Sequence, residues 1–179
     1  MSDQITIYID DREVRTEPGK TILEAADAAG IYIPRLCYHP DLVPAGHCRV
    51  CTVLLNGKPT NACSNPVGEG MVIENDTPEL NEERKHIIEM LFVEGNHNCP
   101  FCEASGNCEL QALGYRFGML TPDYPYRWPV KEVDASHPDV YIDRNRCILC
   151  GRCIRASRDL DGKSVFGFEW RGPEQRIIV

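Results

Sequence analysis

Ten cysteines fall into three tight groups in this chain. Cys37, Cys48, Cys51 and Cys63 form C-x10-C-x2-C-x11-C; Cys99, Cys102 and Cys108 form C-x2-C-x5-C, with His97 two residues upstream; Cys147, Cys150 and Cys153 form C-x2-C-x2-C. None is left over. Closely spaced thiolates are the ligands of iron–sulfur clusters, and a [2Fe–2S] centre takes four of them, the number the first group offers. A structural zinc site accepts the same four in a tetrahedron. Zinc ribbons, however, bring two C-x2-C knuckles, and this group has one. His47 adjoins Cys48 but is surplus to the count, and reads as a surface residue or one that packs behind a ligand. Gly46 has no Cβ, so backbone N–H groups there can approach the sulfurs.

The second group has three cysteines, so a [4Fe–4S] cubane there needs one more ligand. His97 is the nearest candidate. A neutral imidazole in place of a thiolate removes one negative charge and raises the potential, as in Rieske centres. Position alone suits an exposed loop histidine equally well; the lack of a fourth cysteine nearby favours the ligand. His86, inside the preceding helical stretch, and His137, before Pro138, are weaker candidates. The third group matches the run that wraps three corners of a cubane in bacterial ferredoxins, where a remote cysteine completes the set. No cysteine follows Cys153. The fourth ligand therefore lies beyond Val179, or a non-cysteine ligand or a three-iron cluster occupies the site. The chain stops on the apolar run Ile177-Ile178-Val179, which reads as a cut chain and favours the first possibility.

Elements must hold these groups in place. Ile5, Ile7 and Ile9 alternate with polar residues, the period of a half-buried strand. Asp10-Asp11 marks a turn, and Val14-Arg15-Thr16 returns as a partner strand. Thr21-Ile22-Leu23-Glu24 is a capping box, opening an alanine-rich helix that runs to Ala29 and stops at Gly30. Residues 50–55 and 58–63 read as strands around the hairpin signal Asn56-Gly57, with 71–73 as a further strand. A hairpin, a packed helix and more strands make an α+β sheet of β-grasp kind. Thr77-Pro78 opens a second helix, with Leu80, Ile87, Ile88, Leu91 and Phe92 on its apolar face and Glu82, Glu83, Lys85 and Glu89 on its wet one. Gly95 ends it and delivers the chain to the second group. Residues 108–117 read as a short helix, the proline- and aromatic-rich 121–138 as an extended connector, and 165–170 with 176–179 as a terminal hairpin. The expected organisation is a [2Fe–2S] ferredoxin-type domain over 1–77, a helical His/Cys3 [4Fe–4S] module over 78–120, the connector 121–138, and a ferredoxin-like [4Fe–4S] segment, incomplete, over 139–179.

Composition narrows the function further. The 179 residues suffice for one full domain and smaller modules. Thirteen prolines and fourteen glycines imply many turns, and so loopy a core gains from cofactor staples. The net charge of −8 argues against nucleic acid, since no basic stripe can replace phosphate counterions. The start of the chain has no signal-peptide pattern, and no apolar run approaches the roughly 18 residues that span a bilayer. A cytoplasmic setting is expected, in which clustered C-x2-C pairs bind metal and do not form disulfides. No glycine-rich dinucleotide fingerprint and no Ser/His/Asp set is present, so neither NAD binding nor hydrolysis is expected on this chain.

The stretch Glu94-Gly-Asn-His-Asn-Cys-Pro-Phe-Cys-Glu-Ala-Ser-Gly-Asn-Cys-Glu-Leu-Gln-Ala-Leu-Gly-Tyr115 resembles the small iron–sulfur (diaphorase) subunit of NAD-reducing, bidirectional nickel–iron hydrogenases. So do Tyr32-Ile-Pro-Arg-Leu-Cys-Tyr38, Cys48-Arg-Val-Cys51, Tyr124-Pro-Tyr-Arg-Trp-Pro129 and Arg146-Cys-Ile-Leu-Cys-Gly-Arg-Cys153. The chain is similar, less closely, to the N-terminal part of the large iron–sulfur subunit of respiratory complex I. The resemblance implies one [2Fe–2S] cluster on Cys37, Cys48, Cys51 and Cys63. It implies one [4Fe–4S] cluster on Cys99, Cys102, Cys108 and a histidine, and a second cubane on Cys147, Cys150, Cys153 and a later cysteine. In complex I relatives that histidine stands four residues before the first cysteine, where this chain has Gly95, so His97 takes the role by a shorter reach.

The expected function is an electron wire without a substrate site of its own. Clusters carry electrons singly whereas hydride chemistry delivers two at a flavin, so a row of clusters links a flavin centre to a metal or quinone centre. By resemblance the partners are a flavin-containing NADH-oxidising subunit and the nickel–iron hydrogenase small subunit, met through charge-complementary patches; no nucleic acid and no membrane insertion are expected. The same wire could serve a formate dehydrogenase or a complex I-type NADH:quinone oxidoreductase. A zinc-binding scaffold is the alternative from a different class, and colour and visible absorption separate it.

Overall fold

The computed structural model describes residues 4–179 and divides into two compact units, one comprising the chain up to His39 together with Pro44–Arg84, the other Pro40–Val43 together with Lys85–Val179. In the first, β1 (Ile5–Ile9) pairs antiparallel with β2 (Arg12–Thr16), setting Ile7 opposite Val14. The alternation buries Ile7 and Ile9 and leaves Tyr8 facing out. Asp10 and Asp11 both take positive φ, 47° and 61°, the conformation a two-residue hairpin loop with right-handed strand twist demands and one that Asp tolerates. α1 (Ile22–Ala28) starts at the expected capping box: Glu24 N–H donates to Thr21 Oγ1 at 3.2 Å and Thr21 N–H to Glu24 Oε2 at 2.7 Å. It ends before Gly30, whose φ of 70° suits a residue without Cβ.

β3 (Thr52–Leu55) and β4 (Lys58–Asn61) close around Asn56-Gly57. β5 (Val72–Glu74) lies parallel to β1 and antiparallel to β3, giving the order β2-β1-β5-β3-β4. Ile22, Leu23, Ala25 and Ala26 of α1 join Ile7, Ile9, Val53 and Ile73 in one core. Each such aliphatic removed from water contributes about 1.5–3 kcal/mol. This is the α+β, β-grasp arrangement expected.

α2 (Pro78–Glu94) begins in the first unit and ends in the second. Leu80, Ile88 and Phe92 are buried as expected. Glu89 departs from its assigned wet face and is fully buried, its carboxylate 3.7 Å from Lys85 Nζ and 3.4 Å from His86 Nδ1. Arg84 is buried too, donating to the carbonyls of Asn75 and Thr52, both at 2.7 Å. Buried charge at these two positions breaks the two-faced pattern; it is met by the Asn75 and Thr52 carbonyls at Arg84 and by Lys85 and His86 at Glu89.

In the second unit a single 3-10 turn at Cys99–Phe101 precedes α3 (Glu109–Arg116). β6 (Val133–His137) and β7 (Val140–Asp143) then form a hairpin, so the last part of the stretch read as an extended connector is a strand. Its side chains are mostly exposed; with no buried face there is no period-two apolar pattern to read. α4 (Arg152–Arg155) runs on into a π-helical turn over Ala156–Leu160. β8 (Gly167–Glu169) and β9 (Arg176–Ile178) pair as the expected terminal hairpin.

Candidate iron–sulfur sites

The first four cysteines are gathered by the β-grasp unit. Arg35 grips Asp27 of α1 through two contacts, Nη1 at 2.5 Å and Nη2 at 2.8 Å, anchoring the loop that carries Cys37. Cys51 immediately precedes β3 and Cys63 follows β4, so the hairpin register brings them together, with Ala62 N–H donating to Cys51 O at 3.1 Å. Between Cys48 and Cys51, Arg49 sits at φ 63°. That left-handed turn is costly for a residue with Cβ. It is held by Thr52 N–H and Oγ1 donating to Arg49 O at 3.0 and 2.7 Å and by Arg49 Nη1 on Asn61 Oδ1 at 2.7 Å. Gly46 takes φ 68°, and a Cβ there would meet Asn61 Nδ2 at 3.1 Å and Ser64 Oγ at 3.2 Å. Cys37 N–H lies 3.4 Å from Cys48 Sγ, and the backbone N–H groups of His47 and Cys48, which follow Gly46, help hold the Cys37 thiol down.

The four thiols form two hydrogen-bonded pairs. Donation from Cys48 holds Cys37 down to about 5, and the same contact pushes Cys48 up. Cys63 is likewise lowered by Cys51, and Cys51 raised by Cys63. In each pair the contact favours the thiolate on one sulfur, Cys37 and Cys63, and a metal ligand must be deprotonated. Cys37, Cys51 and Cys63 are buried while Cys48 is half-buried, and His47 beside it is exposed.

The second group surrounds one small cavity. Cys99 opens the 3-10 turn, Cys102 closes it, and Cys108 caps α3; all three line the cavity with His97, Phe92, Ser105, Leu110 and Gln111. The His97 Nε2 is buried without a hydrogen-bond partner. Burial, then Lys131 and Arg146, hold its pKa below the usual histidine value. A neutral imidazole with an orphaned nitrogen, lining one cavity with three thiols, is a donor set that fits a cubane taking one histidine ligand. The donors ring the cavity and do not converge: among the described residues no three His, Cys, Asp or Glu side chains close on a single-ion position. Phe92 stands edge-on to the imidazole at 5.6 Å. Gly95, expected as a helix stop and as the position where complex I relatives carry the histidine, also makes room, because a Cβ there would lie 2.5 Å from His97 Nε2. The absence of a side chain at 95 was the signal available in sequence. His86 is engaged with Glu89 and Tyr124, and His137 accepts from Asp139 N–H in the β6–β7 turn; neither lines this cavity.

In the third group Leu149 and Gly151 take positive φ, 54° and 64°, and curl the run ahead of α4. Arg155 is buried and clamps it, donating to the carbonyls of Gly151 at 3.3 Å, Cys150 at 3.4 Å and Val43 at 2.9 Å. Burial raises the thiols of Cys147 and Cys153.

Residues 2–78 match the family described as 2Fe-2S iron-sulfur cluster binding domain, residues 84–122 the NADH-ubiquinone oxidoreductase-G iron-sulfur binding region, and residues 137–179 the ferredoxin-like domain of NADH-quinone oxidoreductase subunit 3. The chain is 47% identical over 180 residues to the NAD-reducing hydrogenase HoxS subunit gamma of Cupriavidus necator, covering 100% of this chain and 76% of that protein. It is 35% identical over 178 residues to the mitochondrial NADH-ubiquinone oxidoreductase 78 kDa subunit of Candida albicans, covering 97% of this chain but 25% of the relative. Among solved structures, the crystal structure of an NAD+-reducing [NiFe]-hydrogenase in the H2-reduced state superposes with a TM-score of 0.92 at 44% identity, over 97% of this chain and 74% of that one. Among the described residues no helix is long and apolar enough to cross a membrane.

Proposed function

The chain belongs to the family of the gamma subunit of NAD-reducing hydrogenase, and from that premise we propose that it relays single electrons between a flavin-bearing NAD(H) subunit and a nickel–iron hydrogenase subunit. Cys37, Cys48, Cys51 and Cys63 hold a [2Fe–2S] cluster, two thiolates to each iron, as their pairing suggests. His97, Cys99, Cys102 and Cys108 hold a [4Fe–4S] cluster, and Cys147, Cys150 and Cys153 hold three corners of another. The observation that carries this reading is the orphaned, neutral His97 imidazole in one cavity with three thiols. Bound clusters supply the one-electron chemistry; this chain positions, buries and insulates them and holds no substrate site. A complex I-type role is the second reading, and it is weaker because identity to that relative is 35% against 47% for the hydrogenase subunit.

The test is an iron and sulfide count with low-temperature EPR on anaerobically purified, dithionite-reduced protein, alongside identification of the subunits that co-purify. About ten irons per chain indicate three filled sites and about six indicate two. Zinc without iron overturns the proposal, and co-purification with quinone-reducing subunits in place of a hydrogenase redirects it.

A further inference from the structure

We propose that Arg146 is a positioning residue shared by two cubanes: it belongs by sequence to the third cysteine group, yet it sets its guanidinium on the Cys102 sulfur of the second, raising that cluster's reduction potential. The inference rests on the reading above that Cys99, Cys102, Cys108 and His97 hold a cluster.

Arg146 directly precedes Cys147, but its Nη1 lies 3.8 Å from Cys102 Sγ and 3.9 Å from Glu103 Oε2. Its aim is set from behind by Asp143, whose Oδ2 is 3.2 Å from Nε and whose carbonyl accepts the Arg146 N–H at 3.2 Å. A one-electron reduction adds a negative charge to the cluster and its thiolates without moving a proton. A fixed cation donating to one of those sulfurs favours the reduced form. The Arg146 side chain is 39% exposed, so solvent screens its field without abolishing it.

The backbone geometry does not depend on this charge. The loops before Cys99 and Cys147 are stitched by Asn96 N–H donating to Asn145 O at 2.9 Å, by Asn96 Nδ2 to Asn145 Oδ1 at 3.1 Å, and by Asn145 Nδ2 to Lys131 O at 2.8 Å. Arg152 of α4 adds a second tie, 2.7 Å from Glu109, the residue after Cys108. Removing the Arg146 cation therefore leaves the two groups joined, and changes the field at one of them.

The experiment is an EPR-monitored potentiometric titration with dithionite of the purified full chain, with whatever subunits accompany it, as wild type, R146Q and R146K. R146Q should shift the second cluster's midpoint downward with iron content and the [2Fe–2S] midpoint unchanged, and R146K should recover part of the shift. Iron lost from R146Q but retained in R146K also supports an electrostatic role. An unmoved midpoint in R146Q, equal shifts in R146Q and R146K, or iron lost equally from both overturns the proposal. A wild-type protein with no second-cluster signal overturns the underlying cluster assignment, and the inference with it.

Discussion

The His97 imidazole lies across the space that a side chain on residue 95 would need, with Nε2 2.5 Å and Cδ2 2.8 Å from the Cβ position of Gly95. Asn145 O would lie 3.0 Å from the same Cβ position. The glycine and the histidine form a matched pair: the chain's reach from α2 to the cavity is short, and an absent side chain makes room for it.

Gly95→Ala is expected to push the imidazole out of the cysteine-lined cavity. Overpacking of this kind costs about 1–3 kcal/mol. Iron content should fall by about four per chain, one cubane, while the [2Fe–2S] EPR signal persists. Full iron with an unchanged spectrum would show that His97 is free to adjust.

His97→Cys replaces a neutral donor by a thiolate and adds one negative charge at the second site. The cluster should remain and its midpoint potential should fall, read by the same titration. His97→Ala should lose it. Equal potentials for wild type and His97→Cys would remove His97 from the ligand set.

Cys63→Ser removes one member of the buried Cys51–Cys63 pair in the β-grasp unit. The [2Fe–2S] signal should disappear or broaden, and the cubane signals should stay. Loss of every paramagnetic signal would contradict independent sites.

Thr21→Ala breaks the capping box at α1, whose far end holds Asp27 against Arg35 ahead of Cys37. A lost cap of this kind costs about 1 kcal/mol. Denaturant unfolding followed by far-UV circular dichroism should show the lowered midpoint, and reconstitution of the first cluster should slow. An unchanged unfolding midpoint would mean the helix is held by packing alone.

Where structure depends on neighbours in the chain, residue identities were enough. Asp10-Asp11 and Asn56-Gly57 turn because those residues tolerate positive φ, Thr21 and Glu24 cap each other three residues apart, and Gly30 stops α1. The cysteine spacings marked three groups of candidate ligands, and the β-grasp kind of sheet followed from alternation and turn signals, though not its strand order. Tertiary structure decided what depends on residues distant in sequence. Glu89 and Arg84 are buried on a helix whose local pattern reads as two-faced, each beside polar partners that the local sequence does not announce. The β6–β7 hairpin forms through backbone pairing and the hold of Arg144 on Asp134 at 2.7 Å, with no apolar alternation to announce it. The space at Gly95 matters only once His97 folds back into it, and Arg146 reaches Cys102 across 44 positions of sequence. Spacing can name the donors. Their surroundings, which set charge and therefore potential, exist only when distant segments pack together and exclude water.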